Sequence, residues 1–324
     1  MQDGVSLVDP QDIAAARARI AGIALGTPVV ECAAAPPGKR IHLKLENLQP
    51  GGSFKIRPVA NAVLTRSKED LAHGLHAVSS GNSALAVALM ARRVGITATA
   101  HVPDNAPQAK LQKLRALGAR IEMQPQEAWW RAVGRGTLLR DGQGVLIDAV
   151  RDPACLAGDA TLGAEILEQC PDVEAIFAPF GGGGLSCGIA SAVRAARSDV
   201  KVIACELDTA HPAKSAFDAG HPVERPFSTG FVSGIGFGTV LPEIWPLILE
   251  LIDDVITVSL REVATAIRVM AEGNRVIAEG SGAVAVAAAL SGRHSFNKVC
   301  AVVSGGNIDS EWLTAILRGE VPGG

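Results

Sequence analysis

Tyrosine is absent from this chain of 324 residues, and aromatic residues make up only 4% of it. A phenol is therefore excluded as a general acid, and few side chains are available for stacking. The basic residues are dispersed, and the net charge of −3 with an isoelectric point near 6.2 gives no overall attraction to nucleic acid or to an anionic membrane. The sequence thus predicts no nucleic-acid partner.

A long apolar segment is also missing. The longest apolar run, residues 283–290, is far shorter than the roughly 20 residues that cross a bilayer. The amino terminus carries Asp3, Asp9 and Asp12 and lacks the basic start and apolar core of a secretory signal. We therefore expect a cytoplasmic protein without membrane association.

The six cysteines form no C-x-x-C pair and have no histidine at the spacing of a metal site. Several of them lie in apolar runs of the sequence. Buried free thiols are therefore predicted, rather than disulfides or zinc ligands.

Short β-branched runs alternate with helical patterns from about residue 41 to the carboxyl terminus, after an amphipathic helix predicted over residues 11–25. This alternation is typical of an α/β fold, in which helices cover both faces of parallel sheets. The chain is also longer than most single cores. We predict a large domain formed by residues 1–73 and 151–324, and a small mobile domain at residues 74–150.

Lys55 lies in a glycine-containing turn, Gly51-Gly52-Ser53-Phe54-Lys55-Ile56-Arg57, just before an apolar helical run. A lysine ammonium loses its proton readily when it is desolvated, and the free amine can condense with an aldehyde. The alternative for a lysine near a glycine turn is an ordinary solvated surface charge.

A second stretch, Phe180-Gly181-Gly182-Gly183-Gly184-Leu185, follows a predicted strand and opens a predicted helix. Successive glycines allow backbone N–H groups to converge on an anion, and the amino end of the helix adds partial positive charge. No Gly-Lys-Ser or Gly-Lys-Thr follows, so the stretch is not a P-loop. The sequence predicts a phosphate cradle here, with a flexible turn as the alternative.

A third stretch, Ser79-Ser80-Gly81-Asn82-Ser83, also lies between a strand and a helix. Its hydroxyls, amide and helix-terminal N–H groups are suited to hold a substrate carboxylate, and the Asn82 side chain can donate to a phenolate oxygen. Serine and asparagine are equally the preferred helix-capping residues, so plain capping remains the alternative.

Two further stretches lie near the carboxyl terminus. Ser304-Gly305-Gly306-Asn307 follows an apolar strand, and a hydroxyl at that strand end can bond to a neutral pyridine nitrogen. Glu279 begins Glu279-Gly280-Ser281-Gly282-Ala283, which either lines the same pocket or only starts the next helix. Taken alone, each stretch has the composition of a turn.

In their order and spacing, the motifs G-S-F-K-I-R, S-S-G-N, G-G-G-G-L and S-G-G-N resemble those of the fold-type II pyridoxal-phosphate enzymes. The tetraglycine loop and the S-G-G-N ending are similar to the serine/threonine dehydratase and serine racemase branch. This resemblance covers nearly the whole chain. It implies an α/β fold of two open, twisted, mainly parallel sheets flanked by helices, and a homodimer.

The same resemblance implies a role for each motif toward pyridoxal 5'-phosphate. Lys55 would carry the cofactor and take the α-proton of the substrate, while Phe54 would pack on the ring and Asn82 would meet the 3'-oxygen. The phosphate would bind at Gly181, Gly182, Gly183, Gly184 and Leu185. Ser304 would meet the ring nitrogen, and Ser233-Gly234 would occupy the place of the family's usual Asp-Gly pair, with Gly234 beside the ring.

Ser80 distinguishes members within this branch. A serine before Gly-Asn is similar to serine racemases and hydroxyaspartate dehydratases, where it exchanges a proton on the face opposite the lysine. The alternative is that Ser80 only binds water or the substrate carboxylate.

The regions that determine substrate specificity in this family depart from the family pattern here. The departures are at Ser83-Ala84-Leu85, Arg57-Pro58 and Asp148-Ala149-Val150. The divalent-cation site of racemase-like members would involve Glu206 and the Ala210 carbonyl, but Pro212 stands where a further acidic ligand is expected. Because hard cations take six or more oxygens, the sequence leaves this metal open.

These observations lead to one functional hypothesis and two alternatives. We expect α,β-elimination of a small β-hydroxy-α-amino acid, such as threonine or serine, to give a 2-oxo acid and ammonia. Racemisation of a serine-type amino acid, dehydration of hydroxyaspartate or a β-replacement reaction on the same scaffold is the first alternative. A non-catalytic sensor that keeps the pocket is the second, and the intact Lys55 argues against it.

Overall fold

The computed structural model describes residues 6–135, 144–197 and 199–323. Within these ranges, strands form two sheets, and helices pack against both. The strands are β1 (Val29–Glu31), β2 (Arg40–Lys44), β3 (Leu75–Val78), β4 (Ala98–Pro103), β5 (Arg120–Gln124), β6 (Val145–Leu146), β7 (Ala175–Pro179), β8 (Lys201–Leu207), β9 (Asp254–Val258) and β10 (Lys298–Val302).

The helices alternate with these strands along most of the described chain. They are α1 (Pro10–Ile20), α2 (Ile56–Leu64), α3 (Lys68–Leu71), α4 (Asn82–Val94), α5 (Gln108–Ala116), α6 (Gln126–Arg135), α7 (Pro153–Gln169), α8 (Gly184–Ala196), α9 (Pro212–Ala219), α10 (Trp245–Leu251), α11 (Leu260–Val269), α12 (Gly280–Leu290) and α13 (Ser310–Leu317). Short helical turns at Glu46–Leu48 and Met270–Asn274 complete the set for the described ranges.

The larger sheet has six strands in the order β1-β2-β10-β7-β8-β9. All neighbouring pairs are parallel except β1 and β2, which are antiparallel. The smaller sheet has the order β5-β4-β3-β6, and all its pairs are parallel. The predicted α/β fold with two mainly parallel sheets is therefore confirmed.

Helix α7 is a long helix that packs against α2 and α8. Asp152 caps its amino end by accepting a bond from the Ala154 N–H, and Pro153 occupies the first turn, where a missing N–H is harmless. Its residues are mostly buried because it packs between α2 and α8. Small residues make this close packing feasible, since a Cβ at Gly158 would lie 2.6 Å from the Arg57 carbonyl oxygen.

Some predictions of local structure need correction. The first helix ends at Ile20, five residues before the predicted end, because the chain turns at Gly22, whose φ is +76°. Strands β1, β5 and β6 were not predicted from the sequence pattern. All six cysteines are buried and free, as expected.

The strands of the smaller sheet fall between residues 75 and 146, inside the segment predicted as a small domain. The domain limits and the mobility of that segment stay predictions. Among the described residues, no helix combines the length and apolar character needed to span a membrane.

Candidate active site

A cavity of about 310 Å³ opens where segments that follow strands of both sheets come together. Loops after β3, β7 and β10 all reach it, because the carboxyl ends of parallel strands lie at the same edge of a sheet. Every predicted cofactor and substrate residue lines this cavity. They are Phe54, Lys55, Ser79, Ser80, Gly81, Asn82, Ser83, Gly181, Gly182, Gly183, Gly184, Leu185, Gly234, Glu279 and Ser304.

Lys55 is the residue immediately before helix α2, and its turn is held against the loop after β10. The Phe54 N–H donates to the Ser304 carbonyl at 3.0 Å, and the Gly306 N–H donates to the Gly52 carbonyl at 2.9 Å. The Lys55 Nζ lies 4.6 Å from the centroid of the buried Phe54 ring. The lysine is therefore delivered into the cavity by a turn with fixed backbone contacts.

A buried ionic network supports this turn from below. Arg57 donates to both carboxylate oxygens of Glu46, at 2.8 and 2.9 Å, and to Glu165 at 2.9 Å. Glu165 also pairs with the buried Lys44. Burial lowers the pKa of Lys44, while the Glu165 carboxylate opposes that shift. Two cations and two carboxylates thus compensate each other beneath the lysine turn.

At the start of α8, the backbone of the tetraglycine loop packs closely against neighbouring backbone atoms. Gly183 has φ = +95°, a left-handed conformation that favours glycine, and no side chain caps the helix. A Cβ at Gly184 would lie only 2.4 Å from the Ala149 carbonyl oxygen. The loop therefore presents bare backbone and an uncapped helix end to the cavity, which suits a phosphate group.

Asn82 belongs to a chain of hydrogen-bonded amide and carboxyl groups that also line the cavity. Its Nδ2 donates to Glu279 Oε1 at 2.6 Å, and its Oδ1 accepts a bond from Asn307 Nδ2 at 2.9 Å. Asn307 in turn donates to the Gly51 carbonyl at 2.7 Å. Burial raises the pKa of Glu279, and the bond from Asn82 opposes the shift. This chain fixes the orientation of the Asn82 amide.

The serine stretch before α4 is not a simple helix cap. The residue at the capping position is Gly81, and no side chain makes a capping bond to α4. The Ser79 hydroxyl accepts a bond from the Gly81 N–H at 3.1 Å. Within the described chain, the Ser80 hydroxyl makes no hydrogen bond, although it lines the cavity. It is free to contact a bound molecule.

Ser304 is buried at the end of β10. Its hydroxyl lies 3.4 Å from the Ser281 carbonyl oxygen, a long hydrogen bond that a better acceptor could replace. The Ser281 hydroxyl accepts a bond from the Gly234 N–H at 2.8 Å. These contacts place Ser304, Ser281 and Gly234 on one side of the cavity.

The family described as "Pyridoxal-phosphate dependent enzyme" matches residues 20–305, which is most of the chain. This chain belongs to that family. The predicted resemblance is therefore confirmed.

Relatives of this pyridoxal-phosphate-dependent enzyme include proteins named threonine ammonia-lyase and proteins named serine racemase. An L-threonine ammonia-lyase from Thermotoga maritima is 36% identical over 87% of this chain and 70% of its own length. A serine racemase from Bos taurus is 33% identical over 87% of this chain and 86% of its own length. The solved structure of maize serine racemase has a TM-score of 0.86 at 31% identity, over 97% of this chain and 98% of that chain.

The residues of the cavity fit a pyridoxal phosphate group. An amine, a bare glycine loop at a helix amino end and a buried hydroxyl line the same space, at Lys55, Gly181–Gly184 and Ser304. A pyridoxal phosphate needs these three kinds of group for its aldehyde, its phosphate and its ring nitrogen. The volume of about 310 Å³ lies within the range of small-molecule sites.

Other cavity residues of this enzyme were missed by the sequence reasoning. Lys110 Nζ donates to Ser233 Oγ at 2.9 Å, although 123 residues separate them in the chain. Trp129 and Trp130 line the cavity as well, and the ring of Trp130 packs edge-on against Phe227, with centroids 5.7 Å apart. Nothing in the sequence indicated that these residues lie near Lys55. Asn307 also lines the cavity and was not predicted as a site residue, although it belongs to the recognised Ser304-Gly305-Gly306-Asn307 motif.

The two residues considered for a metal ion lie apart from this cavity. Both carboxylate oxygens of Glu206 accept backbone bonds at the start of α9, from the Ala213 N–H at 2.8 Å and the Lys214 N–H at 2.9 Å. Burial raises the pKa of Glu206 to about 8. Among the described residues, no group of three or more His, Cys, Asp or Glu side chains could hold a metal ion. The cation at Glu206 and Ala210 therefore stays a prediction without structural support.

Proposed function

We propose that this chain is a pyridoxal-phosphate-dependent ammonia-lyase. It removes water and then ammonia from a small β-hydroxy-α-amino acid, such as threonine or serine, and forms a 2-oxo acid. The observation that supports this most directly is the common cavity of Lys55, the tetraglycine loop and Ser304. The relatives named threonine ammonia-lyase support the elimination chemistry.

Bound pyridoxal phosphate supplies the electron sink that makes the α-proton of an amino acid acidic. Lys55 would hold the cofactor, and its amine would take that α-proton. The half-buried position of Lys55 next to the Phe54 ring limits the contact of the amine with water. The serine stretch before α4 receives the substrate carboxylate through its hydroxyls and its helix-terminal N–H groups.

The remaining cavity residues hold the cofactor in place. The backbone N–H groups of the tetraglycine loop would bind the phosphate, and the Asn82 amide, held by Glu279 and Asn307, would bind the 3'-oxygen. Ser304 can only offer a neutral hydroxyl to the ring nitrogen, unlike an aspartate, which would keep that nitrogen protonated. These side chains bind and orient, and Lys55 moves the proton.

The first experiment uses the absorption spectrum of the purified protein. We expect a cofactor band that is lost in Lys55→Ala and kept in Lys214→Ala, a control at an exposed lysine outside the cavity. Addition of L- or D-β-hydroxy amino acids should change this band, and one of them should yield a 2-oxo acid. Absence of the band from the unmodified protein would refute the proposal.

Racemisation is a second candidate function, supported by the free Ser80 hydroxyl and by the relatives named serine racemase. A racemase needs a proton donor on the face opposite to the lysine, and Ser80 has the appropriate group. In heavy water, a racemase would incorporate deuterium at the α-carbon and form the other enantiomer without 2-oxo acid. Ser80→Ala would stop the formation of that enantiomer, whereas a pure lyase acting through Lys55 would keep its elimination activity.

The organisation of the molecule belongs to the same proposal. Residues 74–150 form a small domain that moves against the large domain, and the chain acts as a homodimer in the cytoplasm. Light scattering on the purified protein tests the homodimer directly.

A further inference from the structure

Asp159 is a buried carboxyl group for which the proposed mechanism has no use. It lies in α7 with none of its surface exposed, and neither Oδ1 nor Oδ2 has a hydrogen-bond partner in the described part of the chain. Burying an ionised carboxylate without a partner is so costly that such groups usually bind a proton instead. An orphaned carboxyl at this place therefore calls for a physical explanation.

The carboxyl lies against the amino end of α8. A Cβ built on Gly188 would be 2.5 Å from the Asp159 Cβ, and a Cβ built on Gly184 would be 3.5 Å from Asp159 Oδ2. Gly184 is both the first residue of α8 and the last glycine of the tetraglycine loop. Asp159 does not line the cavity, whereas the loop does. The loop thus separates the carboxyl from the place where a phosphate would bind.

The charges around Asp159 come from several elements. Lys55 and Arg57, at the start of α2, favour the ionised carboxylate, and Glu46 opposes it. Cys155 on α7 and Cys187 on α8 are buried thiols whose own pKa values are raised, mainly by burial. Arg57 is already engaged by two carboxylates, so its charge is largely compensated. Burial outweighs the two cations and raises the pKa of Asp159 to about 7.

A phosphate on the loop would add negative charge on the other side of the same helix end. Like charges at short distance disfavour the ionised form of each group. The partial positive charge at one helix terminus is about half an elementary charge, which is too little to offset both a carboxylate and a phosphate dianion. The helix end can therefore accommodate the phosphate well only when the carboxyl is neutral.

We propose that Asp159 must carry a proton for the tetraglycine loop to hold a phosphate group, and that ionisation of Asp159 weakens this hold. Asp159 acts through the loop and is a positioning residue. The inference rests on the proposed function, because it takes the loop to be the phosphate site. The ligand that the tetraglycine loop would hold is a phosphate monoester.

The test measures the affinity of the apoprotein for the cofactor across a pH series from about 6 to about 9. This series spans the pKa values to which burial can raise a carboxyl group. Quenching of tryptophan fluorescence reports binding, since Trp129 and Trp130 line the cavity. The probes are pyridoxal 5'-phosphate and pyridoxal, which lacks the phosphate. The proteins are the unmodified chain and Asp159→Asn, which is neutral at every pH and nearly the same size.

We expect the ratio of the two Kd values for pyridoxal 5'-phosphate, unmodified protein over Asp159→Asn, to rise above neutral pH. The rise approaches about tenfold per pH unit, as for one linked proton. Titration of the free phosphate cancels in this ratio because both proteins are measured with the same ligand. For pyridoxal the ratio should stay flat.

Parallel pH profiles for the two proteins, or the same divergence with pyridoxal, would overturn the inference. Failure of the unmodified protein to bind either probe would instead refute the proposed function. If Asp159→Asn does not fold, calorimetry of the unmodified protein in buffers of different ionisation enthalpy replaces it. At about pH 8, pyridoxal 5'-phosphate should then cause uptake of up to one more proton than pyridoxal does, and equal uptake overturns the inference.

Discussion

Replacement of Arg57 by methionine would remove the centre of the buried ionic network beneath the Lys55 turn. The Arg57 side chain is 3% exposed and the Glu46 side chain is fully buried. Arg57 makes three charge-assisted bonds, two to Glu46 and one to Glu165, and a further bond to the Leu25 carbonyl at 3.0 Å. Methionine keeps most of the volume of the stem and removes all of these donors.

The expected loss follows from the charge that remains. Removing one partner of a buried ion pair costs about 3–5 kcal/mol, because the other charge stays buried without compensation. Glu46 would keep only neutral donors, from Thr27 and Gln49, whereas Glu165 would keep Lys44. We therefore expect a loss near the upper part of that range, which is a large share of a typical total stability of about 5–15 kcal/mol.

Urea unfolding followed by circular dichroism measures this loss, and two variants serve as controls. Arg17→Met removes an exposed ion pair with Glu168, whose side chains are 52% and 54% exposed, and should cost less than about 1 kcal/mol. Adding Glu46→Gln to Arg57→Met should restore about 1–3 kcal/mol, because the uncompensated charge is then removed. A loss for Arg57→Met similar to that for Arg17→Met, or no recovery in the double variant, would refute the reasoning.

Three further predictions concern the cavity and the group beneath it. Gly184→Ala should raise the cofactor Kd, measured by equilibrium dialysis, at least about tenfold, because its Cβ would lie 2.4 Å from the Ala149 carbonyl oxygen. The control Gly26→Ala should leave that Kd unchanged, because the nearest atom to its Cβ would be 3.8 Å away. Ser304→Ala should weaken cofactor binding by about two- to tenfold, the worth of one neutral hydrogen bond, and an unchanged Kd would argue against its contact with the ring nitrogen. In the apoprotein, the proton on Asp159 stabilises the fold fully below about pH 4, and this stabilisation is lost as pH rises toward the folded pKa of about 7, up from 3.8. Three pKa units correspond to at most about 4 kcal/mol, so Asp159→Asn should gain stability relative to the unmodified chain as pH rises from about 4 to about 7, and a constant difference in urea unfolding would contradict this.

Much of the fold was predictable because its strands carry a strong local signal. The buried strands β3, β4, β7 and β10 are short apolar runs between helical patterns, as expected for parallel sheets. Strand β5 gave no such signal, because its residues, Arg-Ile-Glu-Met-Gln, lie at a sheet edge and are mostly exposed. Strand β6 has only two residues, too few for any periodicity.

The candidate site was predictable to the extent that it consists of strand-end motifs. The stretches at Lys55, Ser79–Ser83, Gly181–Leu185 and Ser304 lie next to each other in space because parallel topology collects strand ends at one edge. The approach of Lys110 to Ser233 has no such rule behind it. That contact depends on how α5 packs across the loop before α10, which only the folded chain determines.

The role of Asp159 was also hidden in the sequence, since an aspartate inside an alanine-rich helix resembles an ordinary surface residue. The electrostatic environment of Asp159 can be understood only together with the buried ionic network. Arg57 and Lys44 are matched by Glu46 and Glu165, so the nearby cations are compensated before Asp159 is considered. Of the two cations that favour the ionised Asp159 carboxylate, Lys55 has the larger influence and Arg57 the smaller, and Lys55 is the residue proposed to bond to the cofactor.

The Arg57 and Asp159 substitutions are therefore physically linked. Arg57 lowers the pKa of Asp159 and Glu46 raises it, so Arg57→Met alone should favour the protonated carboxyl. In that variant, the weakening of phosphate binding should begin at a higher pH than in the unmodified chain, even though the fold is less stable. A general loosening of the site would weaken cofactor binding at every pH, so a shift of the profile along the pH axis separates charge coupling from structural damage.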